Sequence, residues 1–243
     1  MLSVFRKELQ AFFSSLIGYV VVGVFLIVMW LIMWFFTDTS LLNQNLATMG
    51  QLFHLGPLIF VFLIPALTMR SFSEERQKGT IEFLSTKPLT DLQITLGKYF
   101  ACLVLVLFAI LPTLVYYYTI YKLGLTAGNL DSGAIMGSYF GLFLLGAVFV
   151  AIGVFASSLV KDQVVAFVLA TFLCFLFHWG FFFISELPFF FGKSDLFIQR
   201  LGIDFHYSSI SRGVIDLRDV VYFLSVIVLF IASTVSSLGS RRW

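Results

Sequence analysis

Six long runs along the chain contain no Asp, Glu, Lys or Arg: 16–36, 52–69, 99–121, 134–160, 164–184 and 220–238. A bilayer core is about 30 Å thick and a helix rises about 1.5 Å per residue, so about 20 apolar residues cross it. Each run predicts a spanning helix, and the fold class that follows is an all-α polytopic membrane protein with six transmembrane helices. The second run is the shortest and carries His54, Pro57 and Pro65. Prolines are tolerated in a spanning helix where neighbouring groups satisfy the carbonyls they free. The first run is too long for the apolar core of a signal peptide, and no small-residue cleavage site follows it, so it is read as a retained helix.

Residues 1–14 follow a different pattern. Leu2, Phe5, Leu9 and Phe12 or Phe13 recur at steps of three and four, while Arg6, Lys7, Glu8 and Gln10 lie mainly on the other side. This predicts an amphipathic elbow helix lying in the membrane interface beside the first span.

Lys and Arg in the connections set the orientation. With the N-terminus inside, the inner segments hold Arg6, Lys7, Arg70, Arg76, Lys78, Lys87, Lys98, Lys161, Arg241 and Arg242, against Lys122, Lys193, Arg200, Arg212 and Arg218 outside. Both termini are therefore expected in the cytoplasm, which requires an even number of spans. The expected domain is a single one over 1–243, with an inner connection at 70–98 and an outer one at 185–219. The outer connection contains Phe189, Phe190, Phe191, Phe197, Phe205 and Tyr207 and is expected to pack on or dip into the outer interface.

Composition supports the membrane reading. Hydrophobic residues make up 60% and charged residues 12%, about half the charge of an ordinary soluble domain, and the mean hydropathy is +1.00. A net charge of +2 offers no basic surface for nucleic acid. Cys102 and Cys174 sit in apolar runs and read as small buried hydrophobes.

The chemistry a membrane enzyme or carrier needs is not in the pattern. Gly192-Lys193-Ser194 lacks the first glycine of a phosphate-binding loop, where Leu187 stands, and Gly97-Lys98 is followed by Tyr99. His54, His178 and His206 have no ligand partner at helical spacing, so no metal site is expected. His178 in the fifth run reads as a neutral imidazole hydrogen-bonded between helices beside Trp179, with a functional role as the alternative. No spanning run carries a carboxylate for proton relay or an elbow serine for proteolysis. Gly133, Gly137 and Gly141 recur every four residues and allow a close backbone approach, either within the subunit or at a dimer seam.

The inner connection is the most informative segment. Glu74, Glu75, Arg76 and Lys78 lie on a charged helical stretch that breaks at Gly79. Thr80 can cap a short turn in which Ile81 and Leu84 share a face, and Lys87-Pro88 ends it. Thr90 with Gln93 forms a capping-box signature for the next helix. A small apolar patch among mixed charges suits docking to a cytoplasmic partner; the bland reading is a solvated loop.

At these residues the chain resembles the ABC-2 class of transporter permeases, whose loop after the second helix follows E-x-x-x-G-T-x-E-x-L-x-x-x-P and then G-K. Glu75, Gly79, Thr80, Glu82, Leu84, Pro88, Gly97 and Lys98 fit, with Phe83 beside Leu84 completing an apolar pair. Within the class, Phe5-Arg6-Lys7-Glu8-Leu9 and the stretch from Ser211 to Asp219 resemble the permease subunit of gliding-motility transporters. The resemblance implies a permease in the bacterial cytoplasmic (inner) membrane, without catalysis of its own and binding no cofactor itself. ATP and Mg would be held by a cytoplasmic ABC ATPase subunit, and a second permease, an auxiliary membrane subunit or another copy would complete the assembly. It further implies export, linked to gliding motility. Glu74, Glu75, Gly79, Thr80, Ile81, Glu82, Phe83, Leu84 and Pro88 would form the ATPase-coupling loop. The competing reading is a structural membrane anchor that recruits an ATPase to a motility or secretion machine without moving a substrate.

Overall fold

The computed structural model describes residues 1–36, 48–80, 88–123, 130–189 and 195–240. Among these the secondary structure is helical, without a strand. Helix α1 (Leu2–Phe13) meets α2 (Leu16–Trp34) at a bend of 66°. Helix α3 (Gly50–Thr68) runs on through Met69 into α4 (Arg70–Gln77). Helix α5 (Asp91–Ile110) continues through the short 3-10 turn Leu111–Thr113, which contains Pro112, into α6 (Leu114–Leu123). Helix α7 is Ser132–Leu159. Helix α8 (Gln163–Phe175) passes through one π-helical turn, Leu176–Gly180, into α9 (Phe181–Ser185). Two short helices follow, α10 (Asp195–Gln199) and α11 (Ile203–Ile210), and then α12 (Leu217–Gly239).

Five of these stretches are long and apolar enough to cross a membrane: Gly50–Gln77, Asp91–Leu123, Ser132–Leu159, Gln163–Ser185 and Leu217–Gly239. Counting the bent pair α1 and α2 as one span makes six. The chain is a multi-pass, all-α membrane protein.

Helix α7 is the central post. Its apolar window is 83% buried inside the protein, against 22% for α12. Small residues let its neighbours approach. A Cβ at Gly153 would lie 2.0 Å from Thr68 Oγ1 of α3, and one at Gly146 would lie 2.7 Å from Val106 of α5. Val24, Ile27 and Trp30 of α2, with Val221, Leu224 and Val228 of α12, stay exposed. On a water-soluble protein such faces would be sticky patches, whereas here they meet lipid.

The proline in the upper half of α3 is compensated as membrane burial requires. Pro57 has no N–H to give the carbonyl of Phe53. That carbonyl accepts instead from the Tyr207 hydroxyl of α11, at 2.8 Å. Tyr207 is buried, so α11 is clamped to the helix that needed a donor.

The helix leading into the third span begins at Asp91, where the Thr90–Gln93 capping box signals it, and the box is present on both sides. Gly97 and Lys98 therefore lie within α5 and not in the inner connection expected at 70–98. The outer connection is not merely laid on an interface either. Ile203, Tyr207 and Ile210 of α11 are buried, while Phe189 and Phe197 are exposed. The expectations for Phe190 and Phe191 lie outside the described residues.

Candidate coupling site

Helix α4 extends α3 beyond the apolar stretch, and its polar residues divide between two faces. On one, Glu74 bonds Arg70 at 3.1 Å and Lys78 at 2.6 Å, both at i,i+4 spacing. Such exposed pairs contribute about 0.3–0.5 kcal/mol each. The helix stops at Gly79, whose φ of +66° only glycine adopts without strain. Thr80 N–H donates to Glu75 O at 2.9 Å and Gly79 N–H to Arg76 O at 3.3 Å. This is a Schellman cap, and it satisfies two carbonyls that the helix end would leave open.

The other face carries Glu75, and here three elements meet. Lys98 of α5 is only 1% exposed, and its ammonium faces Glu8 Oε1 of α1 at 2.8 Å and Glu75 Oε2 of α4 at 3.0 Å. It also donates to the Ser71 carbonyl at 2.5 Å. Two of its protons are given to Glu8 and Ser71, while Glu75 Oε2 is held by charge alone and has no hydrogen-bond donor among the described residues. The Phe72 ring lies 5.0 Å below it. Lys7 of α1 completes a quartet by reaching Glu75 Oε1 at 2.8 Å. Two carboxylates and two ammoniums cancel, which is what permits burial. Burial alone would raise the Glu75 carboxyl; Lys98 and then Lys7 outweigh it and hold the group below its ordinary value. Burial would likewise lower the Lys7 ammonium, but Glu75 and Glu8 overturn that and raise it.

Gly97, the residue before Lys98, is what lets α1 come this close. A Cβ there would meet Val4 Cβ at 3.0 Å and the Met1 carbonyl at 3.1 Å. The adjacent Gly-Lys pair therefore has two jobs: the glycine gives the elbow helix room, and the lysine ties it to α4. The sequence pattern contains Glu75, Gly97 and Lys98, but nothing in it pairs them with Glu8 and Lys7, because those partners are far away along the chain.

The remaining residues of the expected loop are placed as follows. Glu74, Glu75, Gly79 and Thr80 lie on or just after α4, and Pro88 precedes the capping box of α5. Ile81, Glu82, Phe83 and Leu84 lie outside the described residues. Arg76 reaches back to the Leu159 carbonyl at 3.3 Å, which joins α4 to the end of α7.

Gly133, Gly137 and Gly141 sit at the other end of the bundle. Cβ atoms at Gly137 and Gly141 would collide with the Gly213 carbonyl and the Ile210 side chain, at 2.7 and 2.3 Å. These two glycines face this chain's own α11 and the turn after it. Gly133 meets only the Asp131 side chain.

That end also holds a cavity of about 680 Å³, lined by Phe53, His54, His178, Trp179, Asp204 and Arg212 among others. His178 lies in the π turn, 1% exposed, among the rings of Phe149, Trp179 and Tyr207. The hydrogen bond expected between helices is not formed. Nε2 faces Asp204 at 3.8 Å, and Nδ1 has no hydrogen-bond partner among the described residues. The π turn, which widens the helix by a residue, gave no signal in the apolar run.

At one end of the apolar bundle a buried ion-pair quartet thus ties the capped helix α4 to α1 and α5. No curated protein matches the chain. The model of the family described as ABC-2 family transporter protein matches residues 36–202. That match takes in α3, α4, the segment after Gly79, and α5 with its Gly97-Lys98 pair, so the chain belongs to the ABC-2 family of transporter proteins.

Proposed function

We propose that the chain is the permease subunit of an ATP-binding cassette exporter, driven by ATP hydrolysis in a separate cytoplasmic ATPase that docks against α4 and the segment following it. The observation that carries this reading is the Lys98 quartet. It joins α1, α4 and α5 through charged groups at the place where the coupling sequence pattern lies. Movement imposed on α4 reaches α5 through Glu75–Lys98 and the elbow through Glu75–Lys7 and Lys98–Glu8. On this reading the elbow end is cytoplasmic, in keeping with the bias of Lys and Arg. ATP and Mg bind the partner and not this chain, and the membrane is the bacterial inner membrane. A second permease, an auxiliary subunit or another copy pairs with it. The likeness of the elbow and of Ser211–Asp219 to gliding-motility permeases supports a role in that machinery.

The test is purification of the chain with its stoichiometric partners from native membranes, then reconstitution with a distance probe between α3 and α12. The wild-type complex should contain an ATPase and show an ATP-driven distance change. Lys98→Met together with Glu8→Gln should retain the ATPase but lose most of the change. Absence of any ATPase, or an undiminished response in the variant, overturns the reading.

A further inference from the structure

His206 on α11 is held at both ring nitrogens by acceptors. Nδ1 lies 2.7 Å from Asp219 Oδ1 of α12, and Nε2 lies 2.9 Å from the Arg200 carbonyl in the turn between α10 and α11. The ring stacks on Tyr222 of α12, with centroids 3.9 Å apart and planes 23° from parallel, and the Tyr222 hydroxyl donates to the Leu201 carbonyl. A carbonyl can only accept, and an ionised carboxylate can only accept. A neutral imidazole has one proton to donate. Both contacts can be hydrogen bonds only when the His206–Asp219 pair carries one proton more than a neutral ring beside a carboxylate. The count is the same whether that proton rests on Nδ1 or on Oδ1.

We propose that His206 and Asp219 form a proton-dependent latch that fastens the turn between α10 and α11 to the start of the last span, α12. With the proton in place, both nitrogens are bonded. Without it, the one remaining proton stays on Nδ1, where the carboxylate of Asp219 is the stronger acceptor, and Nε2 turns a lone pair toward the Arg200 carbonyl, which loses its donor. Of the other titratable groups, Tyr222 on α12 stacks on the ring, and Asp204 stands two residues earlier on α11. Asp204 faces away toward His178 and His54, across the cavity. Helix α11 forms one wall of that cavity, contributing Asp204, Tyr207 and Ser208. Release of the latch therefore frees the turn that leads into this wall, and the added proton keeps it fastened.

The latch is tested by hydrogen–deuterium exchange on the full chain in lipid nanodiscs, from about pH 5.5 to about pH 8.5, with rates corrected for intrinsic exchange. Protection of the 200–204 turn should fall about threefold to tenfold as pH rises, the loss expected for one hydrogen bond. His206→Phe keeps the stacking but has nothing to donate, so its protection should be low at every pH. Asp219→Asn should be the opposite. Its amide donates to Nδ1 while the neutral ring donates through Nε2, so protection should stay high at every pH. Protection that is flat with pH in the wild type, or a pH response that survives in either variant, overturns the proposal.

Discussion

Lys98 is the residue on which most depends. Removing it leaves two carboxylates, Glu8 and Glu75, to share the single half-exposed ammonium of Lys7, and breaking a buried pair from one side costs up to about 3–5 kcal/mol. Lys98→Met should lower the unfolding midpoint in detergent sharply. Adding Glu8→Gln and Glu75→Gln should restore much of the loss, because the orphaned charges are gone. A triple variant no more stable than the single one would contradict this account. The depressed Glu75 carboxyl gives a pH dependence whose sign is fixed. Its contribution is complete above the ordinary glutamate value of 4.5 and is lost as pH falls through the lower folded-state value. Elbow docking, followed by a fluorescent label on α1, should therefore hold at neutral pH and weaken only as pH falls below 4.5. At the other end, Tyr207→Phe leaves the Phe53 carbonyl buried without a donor, at a cost of about 1–3 kcal/mol, and thermal unfolding should report it.

Single elements differ in how far their sequence foretells them. The spans were legible because a run of about 20 residues without charge has few uses other than crossing lipid. The helix break at Gly79 and the capping box at Thr90 were legible because both are local, set by residues within one turn of each other. Thr90→Ala should cost about 1 kcal/mol, seen as fraying of the first turn of α5 by hydrogen exchange. What escaped was everything that joins distant elements: the Lys98 quartet, the Tyr207 donor to Phe53, and the facing of Gly137 and Gly141 toward α11. Sequence spacing along one helix tells which residues share a face, but not which helix lies against it. Gly153→Ala shows the difference. In the sequence it is a mild change in a helix, whereas in the fold its methyl meets Thr68, and overpacking of this kind costs about 1–3 kcal/mol. Unfolding by denaturant should show a loss of that size, relieved in part by Thr68→Ala, which removes the Oγ1 that the methyl meets.

At the scale of the molecule, α3 and α4 form one continuous helix from Gly50 to Gln77, about 42 Å long at 1.5 Å per residue. Its first turns line the cavity with Phe53 and His54, and its last carries Glu75 into the quartet. If the bias of Lys and Arg sets the orientation as proposed, cysteines placed at Gly79 and Ser208 should label from opposite sides of sealed vesicles; labelling from the same side would refute it. The continuous helix has a thermodynamic consequence. A body that touches two sites cannot carry influence one way only. Whatever factor a ligand in the cavity applies to the affinity for a partner at α4, that partner must apply to the affinity for the ligand. The unknown cargo could then be sought from the far side, as the compound whose binding at one face of the membrane alters the grip of a protein on the other.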